Sequence, residues 1–526
     1  MGKNKEATKG RDWMGRFLPP PATGILPESL SGLGDDSRTL TQGALFILRC
    51  GSTYEESHLR EAVQKGAALL LVPEIHLPSV SRKLGEWGAP IPVCSVPDIQ
   101  EATGIIASAW WDFPSRNLLI VGVTGTNGKT TSSFLTREIL ETAGKRTGLI
   151  GTVWFDLGEG LVEAPQTTPG ALFLQESFAR ARDNGLAAIS MEVSSHALDQ
   201  ERVAGTFFSA VHFTNLTRDH LDYHGDMESY AAAKRRFLHW PTLSHAVLNL
   251  DDEFGRRTAA ELVHRGLRVT GFGTREEHVV MHGLAASLCA EDVTHHGAGL
   301  RFRIRCRHTE PGKAATQEDA VVTTALVGDF NVANLLGVAG VLLACELPLA
   351  FAAEALSGLR PPPGRMQFVD AGDAAPLVVV DYAHTPDAIA KALQALRPLA
   401  QVRSGRLRIV FGAGGDRDRG KRPLMGAAAS RGADAVILTS DNPRGEDPGR
   451  ILDEIAAGIA PGTPLSREAD RAAAIEAAIR GAQPCDVILI AGKGHEDYQE
   501  IGGRRVPFSD LETADAVLAA IGGRSR

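Results

Sequence analysis

Continuous apolar runs, more than alternating ones, mark out the middle and end of this chain. Leu118-Leu119-Ile120-Val121-Gly122-Val123 carries no charge, as expected of a strand buried on both faces of a parallel sheet. The segment from Lys129 to about Ala143 then predicts a helix, and further buried strands are predicted at 186–191 and 210–214. This unit is expected to end at the Gly- and Pro-rich break Gly358-Leu359-Arg360-Pro361-Pro362-Pro363-Gly364-Arg365. Beyond it, apolar strands at 377–380, 407–411, 435–438 and 487–490 alternate with helical stretches near 386–399, 422–432, 449–459 and 467–481, which predicts a doubly wound parallel sheet. Nearer the start, Ala67-Ala68-Leu69-Leu70-Leu71-Val72 and Pro92-Val93-Cys94-Ser95-Val96 alternate with a helical stretch at 56–65, giving a small α/β unit. Residues 1–32, with Leu18-Pro19-Pro20-Pro21-Ala22, predict a flexible lead-in, because prolines deny hydrogen bonds to helix and ladder alike. The expected boundaries are therefore 33–117, 118–358 and 359–526, all in an α/β chain.

A length of 526 residues agrees with several domains, and 43% hydrophobic with 22% charged residues fits a folded chain. Asp and Glu number 63 against 55 Lys and Arg, so no basic field invites a nucleic acid. Cys50, Cys94, Cys289, Cys306, Cys345 and Cys485 are widely spaced without a CxxC pair, which suits a reducing cytoplasm and predicts neither a disulfide framework nor a zinc site. No run of about 18 apolar residues occurs, and the early basic residues precede no apolar stretch, so neither membrane spanning nor export is expected.

The chemistry begins after the strand at 118–123. Thr124-Gly125-Thr126-Asn127-Gly128-Lys129-Thr130-Thr131 places glycines where a strand turns into a helix, letting backbone N–H groups approach phosphates. Lys129 would neutralise the β and γ phosphates and Thr130 would ligate the nucleotide's magnesium. The strict phosphate-loop pattern fails at Val123, and a plain Gly-rich turn is the simpler alternative. A dinucleotide site at Gly412-Ala413-Gly414-Gly415 is disfavoured because Arg417 stands where its third glycine belongs.

The loop, together with Met191-Glu192-Val193-Ser194-Ser195-His196 and Asn215-Leu216-Thr217-Arg218-Asp219-His220-Leu221-Asp222-Tyr223-His224, resembles the Mur ligases of peptidoglycan synthesis from about residue 33 to 515. The resemblance implies three domains: a UDP-sugar-binding domain, a central P-loop ATPase domain with a parallel sheet, and a Rossmann-like amino-acid-binding domain. Among these ligases it is nearest to those adding meso-diaminopimelate to UDP-N-acetylmuramoyl-L-alanyl-D-glutamate, a step serving cell-wall growth, cell shape and division. It implies that Lys129, Glu192, His220 and Lys234 are catalytic, that Glu192 and His220 reach a second magnesium, and that Lys234 is carbamylated to N6-carboxylysine. On composition alone, Lys234-Arg235-Arg236 reads as a solvated helix face and His220 as a polar-loop residue. Asn331 and Asn334 match adenine-side asparagines, with a helix cap before Leu335-Leu336 as the other reading. Arg365 and Asp381 match residues that hold the nucleotide, with His384 in the same motif.

For the UDP-muramoyl-dipeptide, the resemblance implies Ser37 within Asp36-Ser37-Arg38, together with Thr167, Thr168, Ser194, Gln200 and Arg202. Gln166 stands where the family usually has Asn, and Leu48-Arg49-Cys50-Gly51-Ser52 replaces a smaller, blander stretch. For diaminopimelate it implies Arg417, Asp441-Asn442-Pro443-Arg444, Gly492 and Glu496. Arg444 would grip the distal carboxylate that lysine lacks, since a planar guanidinium pairs with a carboxylate through two hydrogen bonds, and Glu496 the ammonium beside it. Asn-Pro also initiates turns, so a turn and a site coincide there. ATP and Mg2+ are the expected cofactors, domain closure the means of excluding water, and a monomer the expected form. Lysine or a folate as substrate, a P-loop kinase or GTPase, or a purely structural or binding relative are the alternatives; Arg444 and the dipeptide-side residues disfavour the first two, the last domain the third, and Lys129, Glu192, His220 and Lys234 together the last.

Overall fold

The computed structural model describes residues 8–522 except 52, 161, 165, 297–298, 310–313, 360–363 and 370–374. The centre of the predicted Gly- and Pro-rich break, and Ser52, lie outside the described residues. The chain divides into two compact units. One holds Met1–Gly122, Gly144–Ser209 and Trp240–Leu243; the other holds Val123–Ala143, Ala210–His239 and Ser244–Arg526. The segment 118–358 contributes to both. Among the described residues no helix is long and apolar enough to cross a membrane.

In the first unit, the strands Leu33–Gly34, Leu45–Ile47, Leu69–Pro73 and Val93–Val96 form a parallel sheet in that order. Helix Glu56–Gln64 closely matches its predicted span. The lead-in does not behave as expected. Lys9–Gly10 pairs antiparallel with Ser29–Leu30, and Arg11–Phe17 is a helix whose Met14 is fully buried. Trp13 meets Trp110 edge-on with centroids 5.3 Å apart. Trp13, Met14, Leu18 and Leu30 join one apolar cluster with Ile99, Ile106 and Trp110. The prolines end the helix but do not cancel the gain from burying these large side chains, each worth about 1.5–3 kcal/mol. The same unit contains Thr147–Ile150 parallel to Ala188–Glu192, extended antiparallel by Trp154–Asp156 and Val162–Glu163. Helix Ile99–Trp110 is capped by Asp98, which accepts from the Gln100 and Glu101 amides, and it passes so close to Ala204 that a Cβ on Gly104 would lie 2.3 Å from the Ala204 oxygen.

In the second unit, Ala210–Phe213, His245–Asn249, Arg268–Gly273 and Ala286–His296 pair in parallel, and Gly299–His308 and Thr316–Thr324 continue the sheet antiparallel to its edge. These last strands bury alternate residues only, so no continuous apolar run predicted them. The almost wholly apolar helix Asp329–Ala344 is buried nearly throughout.

The doubly wound sheet of the last domain is present. Its order is Gln367–Val369, Leu377–Asp381, Val487–Ala491, Leu407–Phe411, Ala435–Leu438, Leu465–Arg467, parallel except for the first pair. Alternate strand residues feed two cores. Val379, Ile409 and Leu489 pack with helices Pro386–Val402, Lys421–Gly432 and Pro448–Ala456, whereas Val378, Val410 and Ile490 pack with Arg471–Arg480 and the terminal helix. The helix predicted to start near 467 starts at Arg471 because Leu465–Arg467 is the edge strand.

Candidate functional site

Strand Leu119–Thr124 delivers its buried last residue, Thr124, which belongs to the second unit, to a loop that leads into helix Lys129–Thr142. Gly125 has φ 150°, and a Cβ there would fall 1.9 Å from the Thr214 hydroxyl, so glycine alone fits. Gly128 has φ 88°, and its Cβ would fall 2.4 Å from Asn334 Oδ1. The loop is pinned to the next strand's end. Thr126 N–H donates to the Asn215 carbonyl at 2.8 Å, Asn127 N–H to Asn215 Oδ1 at 3.0 Å, and Thr214 Oγ1 to the Asn127 carbonyl at 2.6 Å. Lys129 Nζ folds back onto the Gly125 and Thr126 carbonyls, 2.9 Å from each. Thr130 and Thr131 are buried, and Arg365 Nη2 donates to Thr130 Oγ1 at 3.0 Å. Asn127 Nδ2 donates to Asp387 at 2.9 Å. A long helix opening behind a glycine-lined loop is a ready anion site.

Lys234 departs from the solvated reading of its sequence run. It lies on helix Met227–Leu238, capped by Asp226, and is 1% exposed while Arg235 and Arg236 face solvent. Its Nζ donates to the Gly125 carbonyl at 2.9 Å and stands 4.6 Å from the Tyr230 ring centre. Burial, reinforced by Lys129, holds its ammonium pKa well below the usual lysine range, with Asp219 opposing. The amphipathic count missed it because only one residue of the run turns inward.

His220 has φ 55° and its Nε2 lies 3.4 Å from Asp219 Oδ2. Burial raises the Asp219 carboxyl pKa, but His220, His384, Lys421 and Lys129 outweigh it and leave it lowered. Asp381 accepts from the Met366 and Ala383 amides at 2.7 and 2.8 Å, and burial raises its pKa. Arg365 stacks over Tyr382 at 4.6 Å, and burial lowers the His384 pKa to about 4. The cap reading for Asn331 and Asn334 is corrected: the helix begins at Asp329 with Gly328 at its cap, so both asparagines are inside it. Asn334 donates to Asn331 Oδ1 at 2.9 Å and Asn331 to the Val327 carbonyl at 2.8 Å.

In the first unit, Glu192 ends its strand 1% exposed, accepting from Thr152 N–H at 2.8 Å and Thr152 Oγ1 at 3.0 Å. Thr168 Oγ1 donates to the Glu192 carbonyl at 2.9 Å and accepts from Ser194 N–H at 3.1 Å. Ser194 caps the short helix Ser195–Asp199, and Thr167 meets Thr152 at 3.2 Å. Arg202 joins the rest: Nη1 donates to Gln166 Oε1 at 2.8 Å and the Thr168 carbonyl at 3.0 Å, while Nε and Nη2 donate to Gln200 Oε1. Gln166, the departure from the family pattern, is thus part of this network. Ser37 is bonded elsewhere, to Glu61 Oε2 at 2.7 Å. Arg49, in the other departing stretch, binds Asp35 Oδ2 at 2.6 Å and reaches Gly170, where a Cβ would lie 3.3 Å from Nη1.

The last group lies where parallel strands of the final sheet end, the usual ligand edge of such sheets. Asn442 Nδ2 donates to Glu496 Oε2 at 2.9 Å, and fully buried Lys493 donates to Glu496 Oε2 at 2.8 Å and Asn442 Oδ1 at 3.1 Å. Arg444, at φ 52° after Pro443, donates to Glu500 Oε2 at 3.1 Å and the Gly415 carbonyl at 2.8 Å. Gly492, at φ 116°, faces Asp441, and a Cβ there would lie 3.3 Å from Asp441 Oδ2. Arg417 is exposed beside Gly414.

Two supports escaped the sequence reading. Fully buried Arg471 pairs bidentately with Asp510, both bonds 2.7 Å, and donates to the Ser440 carbonyl at 3.1 Å and the Ala491 carbonyl at 3.0 Å. It ties together the residues just before Asp441 and Gly492. Arg422, also fully buried, bonds Glu446, Glu454 and the Gly414 carbonyl. No local signal marks such pairs, because their partners lie far away in sequence.

Residues 123–342 match the Mur ligase middle domain, and 364–494 match the Mur ligase, glutamate ligase domain. The UDP-N-acetylmuramoyl-L-alanyl-D-glutamate–2,6-diaminopimelate ligase of Chromobacterium violaceum is 44% identical over 93% of this chain and 94% of its own. Its namesake in Acidovorax sp. is 43% identical over 93% and 95%. A solved structure of a ligase of the same name is similar at 32% identity, TM-score 0.63, over 94% of this chain and 95% of that one. MurF from Acinetobacter baumannii, at 16% identity, TM-score 0.62 and 98% and 99% coverage, is a likeness of fold.

Proposed function

The chain belongs to the Mur ligase family, and from that premise we propose that it joins meso-diaminopimelate to UDP-N-acetylmuramoyl-L-alanyl-D-glutamate at the expense of ATP. The γ-phosphate passes to the D-glutamate γ-carboxylate, the amine attacks the acyl phosphate, and phosphate leaves. No protein nucleophile is needed, so catalysis rests on positioning and on cancelling charge. The observation that carries the choice of amine is the group formed by Arg444, Asn442, Lys493 and Glu496 at the strand ends.

In this reading Thr124 to Thr131, Asn334, Arg365 and Asp381 hold ATP, with Lys129 swinging from its two loop carbonyls onto the phosphates. Thr130 would hold the nucleotide's magnesium, and Glu192 and His220 would reach the second. A hydroxyl, a buried carboxylate and an imidazole are each donors of the kind such sites use. When bound, magnesium would offset the negative charge of the phosphates. Ser37, Thr167, Thr168, Ser194, Gln200 and Arg202 hold the muramoyl-dipeptide, the Arg202 network being suited to an anionic ligand. Arg417, Asp441, Asn442, Pro443, Arg444, Gly492 and Glu496 receive diaminopimelate. The reaction is placed in the cytoplasm, with a monomer and without nucleic acid or membrane.

The proposal of Lys234 as N6-carboxylysine rests on the family resemblance and is supported by its burial, because the neutral amine that burial favours is the form that adds carbon dioxide. Carbon-13 NMR with labelled bicarbonate should show a carbamate resonance that Lys234→Met lacks. A spectrum identical in both proteins rejects the modification.

Phosphate release should require both the UDP-dipeptide and an amino acid, with diaminopimelate preferred over lysine. Arg444→Ala should raise the KM for diaminopimelate about 10- to 100-fold, the value of roughly 1.5–3 kcal/mol for hydrogen bonds to a charged group. An unchanged KM would remove Arg444 from the site.

A further inference from the structure

We propose that Cys306, His308 and Glu318 form a further metal site, for a thiophilic divalent cation of the zinc class, at the antiparallel edge of the second unit's sheet. Cys306 and His308 are two apart on strand Gly299–His308 and so share one face of it. Glu318 lies directly opposite Cys306 in the register of the paired strand Thr316–Thr324. Cys306 Sγ is 3.3 Å from His308 Nε2, and His308 Nε2 is 2.7 Å from Glu318 Oε1. All three ligand atoms lie within 4.8 Å of one another. A tetrahedral zinc ion with bonds of about 2.0–2.3 Å spaces its ligands by roughly 3.4–3.6 Å, so seating it requires parting His308 and Glu318 by less than about 1 Å.

A half-exposed His–Glu pair would be an ordinary surface contact worth little. Two features argue for more. A sulfur completes the set, and sulfur with imidazole and carboxylate selects zinc-like ions over magnesium. In addition, His308 and Glu318 line a recess of about 270 Å³ together with His245, Arg268 and Glu346. The recess offers an approach for the ion and room for water as fourth ligand. His245 is kept out of the ligand set by its 2.8 Å contact with the Thr270 hydroxyl. On binding, the sulfur–metal bond forms as the thiol proton leaves to solvent. Thiolate and carboxylate then balance the two positive charges, and the imidazole stays neutral. The ion would clamp the two outer strands together.

The test is titration of the full-length protein with Co2+ in the absence of nucleotide. A near-ultraviolet sulfur-to-cobalt absorption should saturate at one equivalent, a signature that oxygen and nitrogen ligands at the magnesium positions do not give. Cys306→Ser should abolish it, and His308→Gln and Glu318→Gln should each weaken cobalt binding at least tenfold, with ligase turnover of all three within twofold of the parent. Absence of the absorption, its survival in Cys306→Ser, or unchanged affinity in the partly exposed His308→Gln would each overturn the proposal.

Discussion

Lys129→Ala will release phosphate about 10³-fold more slowly at saturating substrates, the scale on which loss of one preorganised charge-stabilising donor acts. The reason lies in the loop geometry. Gly125 and Gly128 have no room for side chains, so the main chain is held against Thr214 and Asn334 with its helix N-terminus open to an anion. Lys129 is a positive group at that opening, held by two carbonyls, each 2.9 Å away, that phosphates would replace as partners. Because the charge matters most as phosphate transfers, kcat should fall while the KM for diaminopimelate stays within a factor of two. Steady-state phosphate release measures both. A loss below tenfold would show that Lys129 does not stabilise the transfer and would refute the phosphate reading of the loop.

Asp510→Ala will cost about 3–5 kcal/mol of stability, because removing one partner of a buried pair leaves the other charge uncompensated. Burial acts to lower the Arg471 pKa, but the Asp510 carboxylate beside it outweighs this and leaves it raised. Without that carboxylate, Arg471 keeps the Ser440 and Ala491 carbonyls as hydrogen-bond partners, and the more distant charges of Asp441 and Glu496. Those carbonyls precede Asp441 and Gly492, so amide exchange in strand Val487–Ala491 should quicken and the KM for diaminopimelate should rise together. Urea unfolding followed by circular dichroism gives the free energy. A change below about 1 kcal/mol would mean that water or a neighbour satisfies Arg471 in the variant.

How far the chain could be read in advance depended on the kind of physics involved. Strands buried on both faces, such as Leu377–Asp381 and Val487–Ala491, announce themselves by apolar runs and match the predicted spans to within a residue. Strands Gly299–His308 and Thr316–Thr324, which alternate and carry many charges, did not. The proline run concealed the lead-in helix, whose Met14 and Trp13 find partners only in the folded unit. Motif residues clustered well. Arg202, Gln200, Thr168 and Ser194 come together in one unit, and Asn442, Glu496 and Arg444 gather at one sheet edge in the other. What local pattern could not supply was the burial of Lys234 beside exposed Arg235, or the Arg471–Asp510 pair 39 positions apart. Both depend on packing across distant segments.

The two units are interleaved along the chain: each takes three segments, and the first is complete only at Leu243. During synthesis, therefore, no early portion leaves the ribosome as a finished body. Segments Val123–Ala143 and Ala210–His239 of the second unit are separated in sequence by Gly144–Ser209 of the first, so bringing them together closes over that stretch. Contacts of such long sequence separation form slowly. Truncation after residue 122 would yield a fragment with unsatisfied apolar faces, and nascent chains would expose those faces to chaperones for longer than a chain of sequential domains would.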